Sequence, residues 1–188
     1  MKKEVVFYVF RRPILASLQD YYKKLSPSDI FYGLPQVKKN TRVVVTDKTF
    51  SHHKLMAIQQ LVNRFVGKFI DIGFSIIPAC LLLPEIEKTD LVFATVDTYG
   101  LPFSLLKFAH FFDKKLVINT IGLYDGLANK KSLLGLYFGR KILRSADFFI
   151  SGGSYNECKL LSTLLKIPLR KFEFIPFGID TTFFAPSK

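Results

Sequence analysis

Cysteine is scarce: Cys80 and Cys158 are the only two in 188 residues, and they share no motif spacing. That excludes a disulfide framework. Both lie in apolar, helical surroundings, which predicts buried free thiols in a protein kept in a reducing cytosol. No apolar run reaches the ~20 residues that a membrane-spanning helix needs. The strongest, "FIDIGFSIIPACLLLPEI" (Phe69–Ile86), is interrupted by Asp71, Gly73, Pro78 and Pro84. It predicts a buried helix and its approach, with a shallow membrane-dipping segment as the alternative. The start "MKKEVVFYVF" lacks the apolar stretch of a signal peptide and runs straight into Arg11-Arg12-Pro13, so it reads as a first strand. Acid is short as well: 15 Asp and Glu against 27 Lys and Arg give a net charge of +12. Such a surplus favours anionic partners, whether nucleic acid, phosphorylated small molecules or an acidic membrane surface.

What is abundant is hydrophobic residues, 49% of the chain, with 20 phenylalanines among them, which excludes disorder and supports one cored domain. Strand-like runs stand at 4–10, 42–47, 90–96, 115–121, 147–152 and 172–176. Most are continuously apolar rather than alternating, as expected of strands buried on both faces. Between them lie helical patterns. "LPFSLLKFAHFFDKK" (101–115) carries Pro102 at a first-turn position, and two more patterns cover 130–145 and 154–167. In the last, Ser154 and Glu157 have capping-box spacing. The alternation predicts an α/β fold: a doubly wound, mainly parallel sheet with helices on both faces.

In such a sheet ligands bind beyond the carboxyl ends of the strands. The positions to watch are therefore Arg11-Arg12, 47–53 with His52-His53, Asp97 to Gly100 with Tyr99, Asn119 to Gly126, and Ser151 to Tyr155. Neither G-x-G-x-x-G nor G-x-x-x-x-G-K-[ST] follows any strand. "SGGSYNE" offers Ser151, Gly152 and Gly153 ahead of a helix, where backbone amides could hold a phosphate; a tight turn capped by Ser154 is the plainer reading. His52-His53 has no third ligand at metal spacing, so no metal cofactor is expected. His110, in a helical run beside Phe111 and Phe112, reads as structural. The patterns "HHKLMAIQQLVNRFVGKFI" and "KKSLLGLYFGRKILR" combine large apolar residues with lysine and arginine. They suit either a helix packed on a sheet or one lying on an anionic membrane. Lysine pairs are scattered along the chain and no nucleic-acid reading motif occurs, so nucleic acid is not the expected partner.

The last third has a more specific look. In "LRSADFFISGGSYNECKLLSTLLKIPLRKFEFIPFGIDTTFFAP", Ala146-Asp147, Ser151, Ile167-Pro168 and Ile175-Pro176 are followed by Gly178, Asp180, Phe184 and Pro186. Over 143–186 this resembles the end of the N-terminal, acceptor-side domain of group 1 retaining glycosyltransferases of the GT-B fold; over 1–142 the resemblance rests mainly on strand order. It implies a Rossmann-like domain over 1–176, then, from 177 to 188, the start of an interdomain linker fixed by Pro176, Gly178, Asp180 and Pro186. The donor-binding domain would be a further domain or a separate subunit.

The implied activity is sugar transfer with retention, from a nucleotide-sugar donor to a glycan or lipid-linked acceptor. The expected setting is the cytoplasm, with peripheral attachment to the inner face of the membrane as an option that the basic amphipathic patterns and the aromatic content raise. No catalytic residue is expected here, and this domain should be inactive alone. The family's Gly-Gly loop after the first strand is replaced by "FRRPI", and its histidine after the fourth strand by Gly122 and Leu123. By loop position and charge, the acceptor-binding candidates are Arg11 and Arg12, suited to a phosphate-bearing acceptor, with His52, Asp97, Tyr99, Asn119, Tyr124 and Asp125. The competing expectations are a stand-alone binding domain for an anionic ligand and part of a nucleotide-sugar epimerase.

Overall fold

The computed structural model describes residues 3–11, 14–27, 31–38, 41–46, 53–128, 132–176 and 178. Six strands, β1 (Val5–Val9), β2 (Arg42–Val45), β3 (Leu91–Ala94), β4 (Lys115–Thr120), β5 (Phe148–Ser151) and β6 (Phe172–Phe174), form one sheet in the order β2-β1-β3-β4-β5-β6. Every neighbouring pair is parallel. The helices are α1 (Leu15–Tyr22), α2 (Leu34–Val37), α3 (His53–Val66), α4 (Ile76–Leu81), α5 (Leu83–Ile86), α6 (Asp97–Phe108), α7 (Leu123–Ala128), α8 (Leu133–Leu143) and α9 (Tyr155–Leu165). The fold is thus α/β with a Rossmann-like, doubly wound sheet. Each strand lies inside its apolar run and is shorter by up to three residues.

Alternation within the strands explains the two apolar layers. Phe7, Val9, Val92, Ala94, Leu116, Ile118 and Phe149 belong to a large core with residues of α6, α8 and α9. Val6, Tyr8 and Phe93 face the other way, onto Leu18, Phe31 and Leu34 around α1 and α2. Phe149 stacks on Phe172 at 4.7 Å between ring centroids, which fixes the sheet's last pair of strands from the large-core side.

Several expectations change. The apolar segment 69–86 is two short helices, α4 and α5, meeting at Leu82, because Pro84 at the start of α5 has no amide hydrogen with which to continue α4. Cys80 is exposed on α4, while Cys158 is buried as expected. Helix α6 starts at Asp97, so Pro102 sits inside it rather than in its first turn. A proline there leaves the Thr98 carbonyl without its helical donor. The Ser75 amide supplies one at 3.0 Å and so ties the approach to α4 onto α6. His110 lies beyond the end of α6, exposed, with φ 61°, because the chain needs a left-handed residue to leave the helix. The glycine-bearing loop at 121–129 holds a helix, α7. Among the described residues no helix is long and apolar enough to cross a membrane.

Candidate functional site

The chain goes from β1 outward to β2, then back across to β3, so the topological switch point lies between β1 and β3. Ligands of open parallel sheets bind in the crevice there, beyond the strands' carboxyl ends. A row of hydroxyl and amide side chains closes this edge. Val9 carbonyl accepts from both the amide (3.1 Å) and Oγ1 (2.8 Å) of Thr95. Thr46 Oγ1 accepts from Phe10 N–H at 3.1 Å. Asn119 Nδ2 donates to the Thr95 carbonyl at 3.2 Å, and Thr120 Oγ1 donates to the Ile150 carbonyl at 3.1 Å. All four side chains are buried. They add side-chain partners to backbone groups at the ends of the strands.

Asp97 opens α6 beside this row. Its Oδ2 accepts from the amides of Ile121 (3.0 Å) and Gly122 (2.7 Å), which binds the end of β3 to the turn after β4. Its Oδ1 is buried with no hydrogen-bond partner among the described residues. Burial raises the pKa of this carboxyl to about 6; the Gly122 and Ile121 amides pull it down and the charge of Glu157 pushes it up. The carboxyl therefore titrates near neutrality while it holds a turn of the edge.

At the end of β5, the turn Ser151–Ser154 leads into α9. Ser154 Oγ accepts from Glu157 N–H at 3.0 Å, as the capping spacing predicted. The reciprocal half of the box is absent. Glu157 instead accepts from Ser151 Oγ at 2.9 Å, and its carboxylate lies where a Cβ on Gly153 would stand. The helix amino end thus already has an acidic group against it, the chain's own. A phosphate entering the turn would meet that charge.

The edge gathers most of the residues singled out from the sequence. Arg11, exposed, follows β1; Asp97 follows β3; Asn119 is the penultimate residue of β4, with half-buried Tyr124 and exposed Asp125 on α7 just after the strand; Ser151 ends β5, and Gly152 and Gly153 follow it. Four of them are not open to a ligand. Asp97, Asn119 and Ser151 are buried with internal partners. Tyr99 is turned into the core and stacks near Phe103 at 5.9 Å, so its hydroxyl is held protonated by burial. Pro176 and Gly178 are exposed beyond β6. Arg12, His52, Asp180 and Pro186 lie outside the described residues. An open depression lined by Glu87, His110 and Phe111 to Lys114 sits ahead of β3 and β4, at the opposite edge. Among the described residues no three His, Cys, Asp or Glu side chains gather as a metal site.

Residues the sequence reading passed over are Thr46 and Thr95, while Thr120 enters it only as part of the loop after β4 and Glu157 only for its capping spacing. A signal for the threonines was present: the runs "VVVT", "VFAT" and "VINT", like "FFIS", each end in a hydroxyl residue. Set against known proteins, the chain matches no family model and no curated protein.

Proposed function

We propose that this chain is the acceptor-side domain of a retaining glycosyltransferase of the GT-B type, working with a donor-binding domain that supplies the nucleotide-sugar site. The observation that carries the reading is the register between the C-terminal motif and the elements. Ala146 is buried and Asp147 heads β5, where it accepts from Leu116 N–H at 2.8 Å and from Lys107. Ser151 closes β5, and its carbonyl accepts from Ile175 N–H at 3.0 Å. Ile167-Pro168 leads through a 3₁₀ turn (Leu169–Lys171) into β6, and Ile175-Pro176 leaves it. The motif residues from Ala146 to Pro176 therefore stand at element boundaries, the rest of the motif beyond Gly178 lying outside the described residues.

In this reading the acceptor lies along the carboxyl edge, with Arg11 as its exposed cation and Tyr124 and Asp125 on α7 as its polar contacts. Arg11 suits a phosphate or pyrophosphate on the acceptor because a guanidinium offers paired donors. The test compares the product of the full reading frame with residues 1–188 alone, using radiolabelled UDP-, GDP- and ADP-sugars. Transfer with retention is expected only where a second α/β domain is present. Arg11→Ala in that product should weaken acceptor affinity by about tenfold without changing thermal stability. Tight binding of a nucleotide sugar by residues 1–188 alone would overturn the proposal.

A further inference from the structure

Helices α3 and α8 pack on the core, α3 partly through Val62 and Val66 and α8 through Ile142 and Leu143, yet each carries a second set of apolar side chains outward. The inner side of α3 carries Gln59 and Asn63. Gln59 donates to the Phe74 carbonyl and accepts from Ile77 N–H at 2.9 Å, and Asn63 accepts from Phe74 N–H at 2.9 Å. These bonds fix the rotation of the helix about its own axis. They leave Ile58, Leu61 (67% exposed) and Phe65 (62% exposed) facing away. The inner side of α8 is built from Gly135 and Gly139 with Ile142 and Leu143. Gly135 is pressed so closely on the Phe69 carbonyl that a Cβ would stand 2.9 Å from its carbon. Outward go Leu133 (83% exposed), Leu134, Tyr137 and Phe138 (57% exposed). The Phe69–Gly135 contact joins the turn that follows α3 to the first turn of α8. Phe65, whose ring centroid is 5.5 Å from that of Phe69, and Leu134 adjoin that contact.

The charge on both helices has one sign. No acid occurs at 53–70 or 132–146, whereas Lys54, Arg64, Lys68 and Lys141 are exposed there; the acids that adjoin the two stretches are Asp71 and Asp147, the latter paired with Lys107. Lys141 lies over the Tyr137 ring at 5.7 Å. We infer that these two helix faces seat the protein on an anionic lipid bilayer. Isolated protruding apolar and aromatic side chains with flanking cations are what an interfacial helix inserts below the headgroups, and neither helix is long enough to span. A second copy of the chain fits poorly, because each face would bring only positive charge to the other. The inference stands apart from the transferase reading: a domain of any activity could be seated this way.

The test is flotation of the chain with vesicles of about 30% phosphatidylglycerol in phosphatidylcholine, against phosphatidylcholine alone. Binding is expected only to the anionic vesicles and should be largely lost in about 0.5 M salt. Phe65→Ser with Phe138→Ser should reduce the bound fraction by at least about tenfold, as should Lys54→Glu, Lys68→Glu and Lys141→Glu together. Leu160→Ser, exposed on α9, is the control and should bind as the parent does. Every altered side chain is exposed, so circular dichroism should be unchanged; if the serine variant misfolds, the glutamate variant still decides. Absence of binding to the anionic vesicles, or equal binding by parent and glutamate variant, overturns the inference. So does self-association without lipid, seen by sedimentation, that the same substitutions abolish.

Discussion

Asp97→Asn isolates what burying a carboxyl at the strand edge costs the fold. The carboxyl has a folded-state pKa of about 6 against an ordinary 3.8, a rise of about two units, 6 minus 3.8. At 1.36 kcal/mol per unit this corresponds to ~3 kcal/mol of linkage. The folded state prefers the protonated form, so the stability this group contributes is fully present below about pH 3.8 and is lost as pH rises through about 6. Asparagine is close in shape to the protonated acid and can still accept from the Ile121 and Gly122 amides through its carbonyl. Parent and variant should therefore be near equal in stability at pH 4, and the variant should lead by ~3 kcal/mol at pH 7. Urea unfolding followed by circular dichroism at half-unit intervals from pH 4 to 8 measures this directly, because the other carboxylates cancel in the difference. Adding Glu157→Gln should shrink the gap, since the Glu157 charge helps raise the pKa. A difference between the two stabilities that stays flat across the range would refute the claim that Asp97 is buried and titrates near neutrality.

Other substitutions probe the settings of the helices and the start of β5. Gln59→Leu raises hydrophobicity yet leaves Ile77 N–H without its acceptor, so it should destabilise by about 1–3 kcal/mol in denaturant titration. Gly135→Ala places a methyl against the Phe69 backbone carbonyl and should cost roughly 1–3 kcal/mol by the same assay. Asp147 should titrate in the opposite sense to Asp97. Burial raises its pKa, but hydrogen bonds from Lys107 and Leu116 N–H and the charges of Lys107 and Lys171 outweigh this and hold it below its ordinary value. Asp147→Asn should therefore lower the melting temperature at pH 7 and lose that effect as pH falls below the carboxylate range.

The order of elements was legible because strands covered on both faces must be apolar at every position, and "KLVINT" or "DFFIS" can hardly be read otherwise. Where the chain departed from expectation, a non-local partner decided. Pro102 looked like a helix start because a proline in a helix interior leaves a carbonyl unpaired, and no local pattern announces that Ser75 will pair it. Glu157 has the spacing of a capping box, yet Ser151 Oγ, brought alongside by the turn after β5, is the donor its carboxylate takes. For α3 and α8 the sequence left packing on the sheet and a membrane surface both open. In α3, Val62 and Val66 pack on the core, while two amide side chains matched to the backbone at 74–77 help set the rotation. In α8, Gly135 permits a close approach to the Phe69 backbone that a larger residue could not make. Both determinants are contacts across the fold, and neither leaves a trace in the helix's own pattern.

The same reasoning limits where recognition can occur at the sheet edge. A polar group already paired inside the protein gains little by exchanging that partner for a ligand, because breaking the internal bond costs about what the new one returns. Thr46, Thr95, Asn119, Thr120 and one oxygen of Asp97 are committed in this way, and Ser151 is committed to Glu157. They make the edge rigid. Under the proposed reading, affinity for a ligand comes from groups that project beyond the saturated row, such as Arg11 after β1 and Tyr124 and Asp125 on α7. Removing a saturated group should thus lower stability and any ligand affinity together, whereas removing Arg11 should lower affinity alone. That split separates the residues that build the edge from those that use it.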